Sequence, residues 1–488
     1  MNTHPTFLAS AVVLAASAAV YAQTPAPPPA APAKPGAGLA NDWLRAQSEP
    51  FEAFDFGGQF RPRFEHKEHF AIPGEPGAVD FREKGVPTGN TYWLFRTKFH
   101  LGYTPVDWVS VYAEGRDSLS VNDRREPEPE NDRIDLHQGY VSLGNAKAFP
   151  LTARVGRQEL SYGDERVVGA FDWNNIGRVF DAAKVRFQND TLWVDAFVGR
   201  LVVPVDEVFN VANDYDWFSG VYASTRALCP KQETQFYFLA RTVGAGSPAA
   251  VDDPLIGLAT PRDIYTVGAR FKSLPGELKG WDYTVEAAGQ FGRFKESAAG
   301  ASLDHEAFAV TAGGGYTFKE CPMTPRVALE YNFGSGDSDP ADGRHETFEN
   351  LFPTNHKFYG YMDFFSWQNL HSPRLTVSLK PAKGLTLSVD YHMFWLADTA
   401  DYFYAVSAAP RRGAVPGSGT GYDRNPRYDS HVGSEIDFVA VYAPKPWLSV
   451  QAGYGHFFVG DYVRQSLAAP THGASDADWV YAQVVFQF

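Results

Sequence analysis

The chain has 488 residues, a formal net charge of −14 and 15% aromatic residues, among them 37 Phe, 24 Tyr and 11 Trp. That acidic balance excludes the basic footprint of a nucleic-acid partner, and two cysteines exclude a disulfide scaffold. A mean hydropathy of −0.29 excludes a bundle of membrane helices but suits a membrane β-barrel, in which every second strand residue faces water and aromatic girdles mark both interfaces.

In chain order, the first element is an apolar run at 7–20, rich in Ala and Val and followed by Val20-Tyr21-Ala22. It predicts a secretory signal peptide over 1–22, cleaved after Ala22. No later run reaches the roughly 18 apolar residues of a membrane helix. Ala and Pro dominate the stretch that follows, so 23–50 reads as an extended linker leading into a barrel over 51–488.

From Phe54 on, apolar and polar residues alternate with period two, the mark of a strand with one wet and one dry face. Phe54, Phe56, Phe60 and Phe64 alternate with Asp55, Gln59, Arg61, Arg63 and Glu65. Phe95, Thr97, Phe99 and Leu101 alternate with Arg96, Lys98 and His100. In the segment starting near Ile176, Val179, Val185 and Phe187 alternate with Arg178, Lys184 and Arg186. Farther on, Leu375, Val377 and Leu379, then Leu385, Leu387, Val389, Tyr391 and Met393, form one face of a hairpin about the turn Pro381-Ala382-Lys383-Gly384. The last segment sets Val480, Val484, Phe486 and Phe488 against Gln483 and Gln487, so a strand ending in Phe488 is expected to close the barrel.

Short turns at 104–107, 188–190 and 443–446 alternate with long polar loops at 67–90, 245–261, 334–367 and 397–428. That asymmetry distinguishes a membrane barrel from a soluble sandwich. The count is about 18 strands, an even number as bacterial barrels require. The fold class is therefore all-β: a transmembrane antiparallel β-barrel with long extracellular loops and short periplasmic turns. It belongs in the bacterial outer membrane, among lipid and lipopolysaccharide. A barrel of that size encloses an aqueous channel unless loops fill it.

Alternation places Arg61, Arg63, Arg96, Lys98, Arg116, Arg154, Arg178, Lys184, Arg186, Arg270 and Arg374 in the lumen. A guanidinium fork fits both oxygens of a carboxylate, and a ladder of such weak sites would conduct a polyanion. Asp55, Glu65, Glu114, Asp195, Glu286, Glu330, Asp390, Glu435 and Asp437 share that lumen, so the cations could equally be structural partners. The residues alone leave both readings open.

One stretch is more specific. Arg154-Val155-Gly156-Arg157-Gln158-Glu159-Leu160-Ser161-Tyr162-Gly163-Asp164-Glu165-Arg166, then Phe171-Asp172-Trp173-Asn174-Asn175 and Arg178-Val179-Phe180-Asp181, strongly resembles the signature of the alginate-export family of outer-membrane proteins. Trp93-Leu94-Phe95-Arg96-Thr97, Tyr103-Thr104-Pro105, Gly433-Ser434-Glu435-Ile436-Asp437 and Gln451-Ala452-Gly453-Tyr454-Gly455-His456-Phe457 extend the resemblance over nearly the whole mature chain. It implies an 18-stranded barrel whose electropositive constriction passes an anionic, alginate-like polysaccharide out of the cell by passive diffusion. A periplasmic protein delivering that polymer is compatible with it. The candidate substrate-binding residues are Arg61, Arg63, Arg96, Lys98, Arg154, Arg166, Arg178, Lys184 and Arg186. Loop 161–175 either folds inward as a gate, bringing Arg166 and Arg178 towards the constriction, or caps the rim and buries Trp173 there.

Nothing points to an enzyme, a cofactor or a metal. No nucleophile elbow occurs, the spacing of His66, Glu68 and His69 matches no firm zinc pattern, and the acidic loop 336–343 lacks EF-hand spacing. Cys229 and Cys321 fall in short turns four strands apart, about 20 Å at ordinary strand spacing, too far for a disulfide. The leading reading is an export channel for an anionic polysaccharide or its oligomers. The alternatives are a general diffusion or uptake porin, and a barrel that displays its loops for adhesion or structure.

Overall fold

The computed structural model describes residues 39–45, 51, 53–244, 252–253, 257–258, 260–297, 300–412 and 417–488. The expected signal peptide 1–22 and most of the expected linker lie outside them. Eighteen long strands follow in chain order: β1 (Phe54–Glu68), β2 (Asn90–Val106), β3 (Val109–Val121), β4 (Asp132–Leu143), β5 (Leu151–Gln158), β6 (Phe180–Gln188), β7 (Leu192–Val203), β8 (Val211–Thr225) and β9 (Gln232–Val243). The second half comprises β10 (Arg262–Ser273), β11 (Trp281–Phe294), β12 (Leu303–Thr317), β13 (Arg326–Gly334), β14 (Leu370–Ala382), β15 (Leu385–Trp395), β16 (His431–Lys445), β17 (Leu448–Val459) and β18 (Ala477–Gln487).

Each strand pairs antiparallel with the next, and β18 returns to β1 with Gln59 opposite Gln487 and Phe60 opposite Phe486. Gly58 and Phe488 exchange both backbone hydrogen bonds at 3.0 Å. A Cβ on the neighbouring Gly57 would lie 2.5 Å from the Phe488 carbonyl oxygen, so this seam requires glycine. Closure leaves no unpaired strand edge in the bilayer, which is why a barrel can cross it. Outward residues such as Phe99, Leu101, Phe187, Phe236, Phe238 and Leu329 are exposed and form the lipid belt, with Trp108, Phe149 and Trp281 near the short-turn rim.

The eight connections at the rim holding Phe54 and Gln487 are two to eight residues long, whereas those at the opposite rim reach 35 residues, at 335–369 and 396–430. Cys229 and Cys321 are free thiols in the β8–β9 and β12–β13 short turns, as expected. Residues 39–45, placed by composition in an extended linker, instead form a short helix, α1 (Leu39–Arg45). The Asn41 amide donates to Asp55 at 2.5 Å and accepts the Phe56 N–H at 2.6 Å. It thereby continues the β1 ladder beyond its last pair with β18.

The long loops are less polar inside than their ends suggest. Leu160, Tyr162, Val167 and Val168 from one loop meet Phe348, Phe352, Phe358, Tyr359, Phe364, Phe365 and Trp367 from another. Phe70, Phe81, Phe403 and Tyr422 join them, as do Tyr462 and Val463 of α2 (Asp461–Ser466). Together they build a hydrophobic core inside the long-loop half of the barrel.

Candidate functional site

On β1 and β2 the cross-strand register sets Arg61 opposite Arg96, and on β2 and β3 it sets Lys98 opposite Arg116. These cations and Arg63 are buried, and they grip the loop 159–179. Arg61 donates to the carbonyls of Asp172 (2.7 Å), Trp173 (3.1 Å) and Asn174 (3.1 Å). Arg63 donates to the Trp173 carbonyl at 2.7 Å, with its guanidinium 4.1 Å above that ring. Arg96 reaches the Asp172 carbonyl and carboxylate, both at 2.9 Å. Arg116 donates to the Ile176 carbonyl at 2.8 Å, and the Ser118 hydroxyl to that of Asn175 at 2.7 Å. The carbonyls of 172–176 thus all turn to one wall. Asp172, exposed to the lumen, was not anticipated as part of the site. Enclosure raises its carboxyl, but Arg96, Lys98 and Arg61 outweigh that and leave it at about 2.

The rest of the loop crosses the lumen. Asp164 accepts from Arg270 (2.6 Å) and Lys272 (2.6 Å) of β10. Arg166 reaches β13, donating to Glu330 (2.7 Å) and Asn332 (3.0 Å) and lying 3.8 Å above the Phe358 ring. Gly163, at φ +60°, lets the chain approach the wall, since a Cβ there would be 2.8 Å from the Tyr222 hydroxyl. Loop 159–179 then pairs with loop 335–369: Gly169 N–H donates to the Phe352 carbonyl (2.7 Å) and Phe352 N–H to that of Val167 (3.0 Å).

The loop therefore folds inward. Trp173 is not at the rim; it stacks on His356 at 3.9 Å and 9° and meets Trp479 and Tyr481 of β18 edge-on. Arg178 departs from the sequence reading. It precedes β6, because Gly177 at φ +80° turns the chain there and Val179 and Phe180 are both buried, which breaks the alternation. Its guanidinium donates to the carbonyls of Gly169 (3.1 Å) and Pro353 (2.8 Å).

Arg154, Lys184 and Arg186 are separate from these. They lie on β5 and β6 towards the short-turn rim, with Arg154 directly opposite Lys184. Lys184 and Arg186 share Asp195, at 3.7 and 2.5 Å. The nine candidates therefore form three groups rather than one ring: the wall of β1 and β2, the two loop anchors Arg166 and Arg178, and the short-turn group.

Much of the wider lumen is ion-paired. Glu65 meets Arg63 (2.9 Å), Glu114 meets Lys98 (3.6 Å), and Asp390 meets Arg374 (2.6 Å). Glu349, also missed in the sequence, accepts from Arg241 (2.6 Å) and Arg262 (2.8 Å). Burial pushes its carboxyl up, and the two arginines outweigh this and hold it at about 2. Between the loops remains a cavity of about 390 Å³, lined among others by Lys67, Asp80, Arg125, Trp173, Phe364 and Arg411. Among the described residues no group of three His, Cys, Asp or Glu side chains is arranged to hold a metal.

Residues 53–474 match the family model described as Alginate export. No curated protein matches the chain. Similar solved structures come from Pseudomonas aeruginosa. OpdQ is 12% identical with a TM-score of 0.55, over 90% of this chain and 98% of that one. OccK3 (OpdO) is 13% identical with a TM-score of 0.53, over 89% and 96%. OpdK solved with vanillate is 13% identical with a TM-score of 0.51, over 89% and 98%. At such identities the likeness is one of fold. Together with a family match that runs from β1 almost to β18, it means that the chain belongs to the alginate export family and is an outer-membrane β-barrel channel.

Proposed function

We propose that the barrel passes an anionic polysaccharide of the alginate type, or its oligomers, outward by passive diffusion along the Arg- and Lys-lined side of its lumen. The observation that carries this is the wall of Arg61, Arg63, Arg96 and Lys98. Its loop ligands are already oxygen atoms, the carbonyls of Asp172, Trp173 and Asn174 and the lumen-exposed Asp172 carboxylate. A polyuronate presents the same kind of acceptor at regular intervals, and guanidinium forks bind carboxylates more strongly than carbonyls. Many shared, replaceable contacts let a chain bind and still leave. A periplasmic delivery protein, if the polymer has one, would meet the short-turn rim.

Reversal potentials in a KCl gradient across planar bilayers test the reading. The expected result is anion preference and block by oligouronates, with selectivity shifting towards cations in Lys98→Glu combined with Arg96→Gln. A cation-preferring channel indifferent to uronates would sink it. The filled long-loop half favours a second reading, uptake of small acids. A cavity of about 390 Å³ suits one or two sugar rings rather than a polymer, and OpdK, of the same fold, was solved with vanillate, a small carboxylate. Flux measured against oligomer length separates the two.

A further inference from the structure

We infer that the short-turn mouth carries a capture site for one uronate residue, built from Arg154, Lys184 and Arg186 and the rings of Tyr112, Tyr140 and Trp193. This rests on the polyuronate reading above and gives it an entry point.

The site is defined by register. Ser142 and Lys184 flank Arg154 on the neighbouring strands, and Tyr112 lies directly opposite Tyr140. All of these residues face the lumen near the strand ends that meet the short turns. Arg154 is held differently from the other candidate arginines. Its Nε donates to the Ser142 hydroxyl at 3.2 Å, its guanidinium lies 4.1 Å above the Tyr140 ring, and no carboxylate among the described residues forms an ion pair with it. Lys184 and Arg186 divide one buried carboxylate, Asp195, between them. Asp195 is therefore the one acid paired within this group of three cations. Among the described residues the one further carboxylate bonded to the site is Glu114, which accepts from the Tyr112 hydroxyl at 3.1 Å, so positive charge remains in excess.

The side chains of Lys184 and Arg186 keep 15% and 29% of their surface open to the lumen. They are reachable yet partly desolvated, which strengthens their attraction for an anion. Rings flank the charge on both sides. Tyr112 and Tyr140 stack at 5.1 Å and 19°, and Trp193 stacks on Tyr222 at 5.8 Å and 14°, beneath the Arg186 guanidinium at 4.6 Å. The ring faces are already covered, Tyr112 by His100 and Tyr140, Tyr140 by Tyr112 and Arg154, and Trp193 by Tyr222 and Arg186. The half-buried rings therefore offer their edges, whose positive potential meets the hydroxyl oxygens of a pyranose, while the cations take its carboxylate. A neutral sugar satisfies only the rings, and an inorganic anion only the cations. A uronate residue satisfies both, and the excess positive charge steers an acidic chain to the mouth.

The test is sided block of single channels in planar bilayers by tetrameric oligogalacturonate, with neutral cellotetraose and sulfate as comparison probes. Maleimide access to the exposed Cys321 identifies the short-turn side. The expected result is stronger block by oligogalacturonate than by either comparison probe from that side. Arg154→Gln should raise the half-blocking concentration about tenfold from that side alone, as the loss of a charge-assisted bond does. Tyr140→Leu should weaken block by the uronate several-fold and leave sulfate unaffected. Equal block by cellotetraose overturns the assignment. So does an Arg154→Gln channel that is blocked as the native one is, or that weakens equally from both sides; the polyuronate reading survives these outcomes. A native channel that the uronate blocks from neither side overturns both.

Discussion

Glu349 stands between Arg241 and Arg262, and its carboxylate ties the inner end of loop 335–369 to β9 and β10. Asp216 completes the arrangement, 2.8 Å from Arg241. Removing one member of a buried ionic group leaves the others desolvated without compensation, at a cost of about 3–5 kcal/mol. Glu349→Ala should therefore loosen the loop while leaving the strands paired, since no barrel ladder includes it. Limited trypsin digestion reads this directly, because cleavage after Lys357 should become faster. An unchanged cleavage rate would mean that the carboxylate does not hold the loop. Nothing in the sequence around Glu349 announces this role, because its partners lie 108 and 87 residues away. Arg61, Arg63, Arg96 and Lys98, by contrast, were legible as lumen residues. They occupy alternate positions on strands whose other face is Phe, Pro or Thr. What they bind was not legible, because alternation reports the face and not the partner.

Loops 335–369 and 396–430 are joined by a carboxylate clamp. Asp401 accepts from the hydroxyls of Thr347 (2.5 Å) and Tyr404 (2.9 Å) and from the N–H groups of Tyr402 (2.6 Å) and Asp337 (3.1 Å). Burial pushes Asp401 up to about 6; burial, with Asp401, Glu346 and Asp342 nearby, pushes Asp337 up to about 7. Both folded values exceed the roughly 3.9 of an unfolded Asp. Such groups hold more protons folded than unfolded, so their contribution is full below about pH 4 and is lost as pH rises through 6 to 7. The joined loops should therefore be tighter at pH 5 than at pH 8. Hydrogen exchange over 335–369, corrected for the intrinsic pH dependence, should show this difference, and Asp337→Asn should flatten it. Protection that grows with pH would contradict the sign. At this scale the strands were readable and the loops were not. The hairpin of β14 and β15 follows its alternation up to a register shift between Leu379 and Ala382, beside the turn. The stretch 334–367 reads as a long polar loop, yet Phe348, Phe352, Phe358, Phe364, Phe365 and Trp367 within it are all buried. Their spacing has no period, so a search for periodicity passes over them. Arg178 falls outside its expected strand for a related reason, since the apolar pattern starts near Ile176 but Gly177 turns the chain and β6 begins only at Phe180.

The molecule as a whole combines a wide barrel with a filled long-loop half. The two parts are energetically separable. The barrel is held by a closed ladder of strand pairs that none of the long loops interrupts, and closure alone satisfies the backbone in lipid. The filling is held by side chains, by a few bonds between loops and by a two-residue parallel ladder of Arg344 and His345 on Asp304 and His305 of β12, which adds to the barrel ladder without being part of its closure. The ends of loop 335–369 already lie side by side, with the Asn369 N–H donating to the Ser335 carbonyl at 3.1 Å. Excising 336–367 and joining Ser335 to Gln368 through two glycines therefore replaces a long loop with a tight one and need not strain β13 or β14. The excision also removes the partners that Arg166, Arg178 and loop 159–179 find there. In a lumen opened to water those cations are hydrated rather than stranded, so the barrel should still insert and remain resistant to detergent. Single-channel conductance should rise several-fold, because a barrel of this size is wide when unfilled, and discrimination between short and long oligouronates should fall. If conductance stayed at the native level in a correctly folded barrel, the narrow part of the path would lie elsewhere, towards the short-turn mouth.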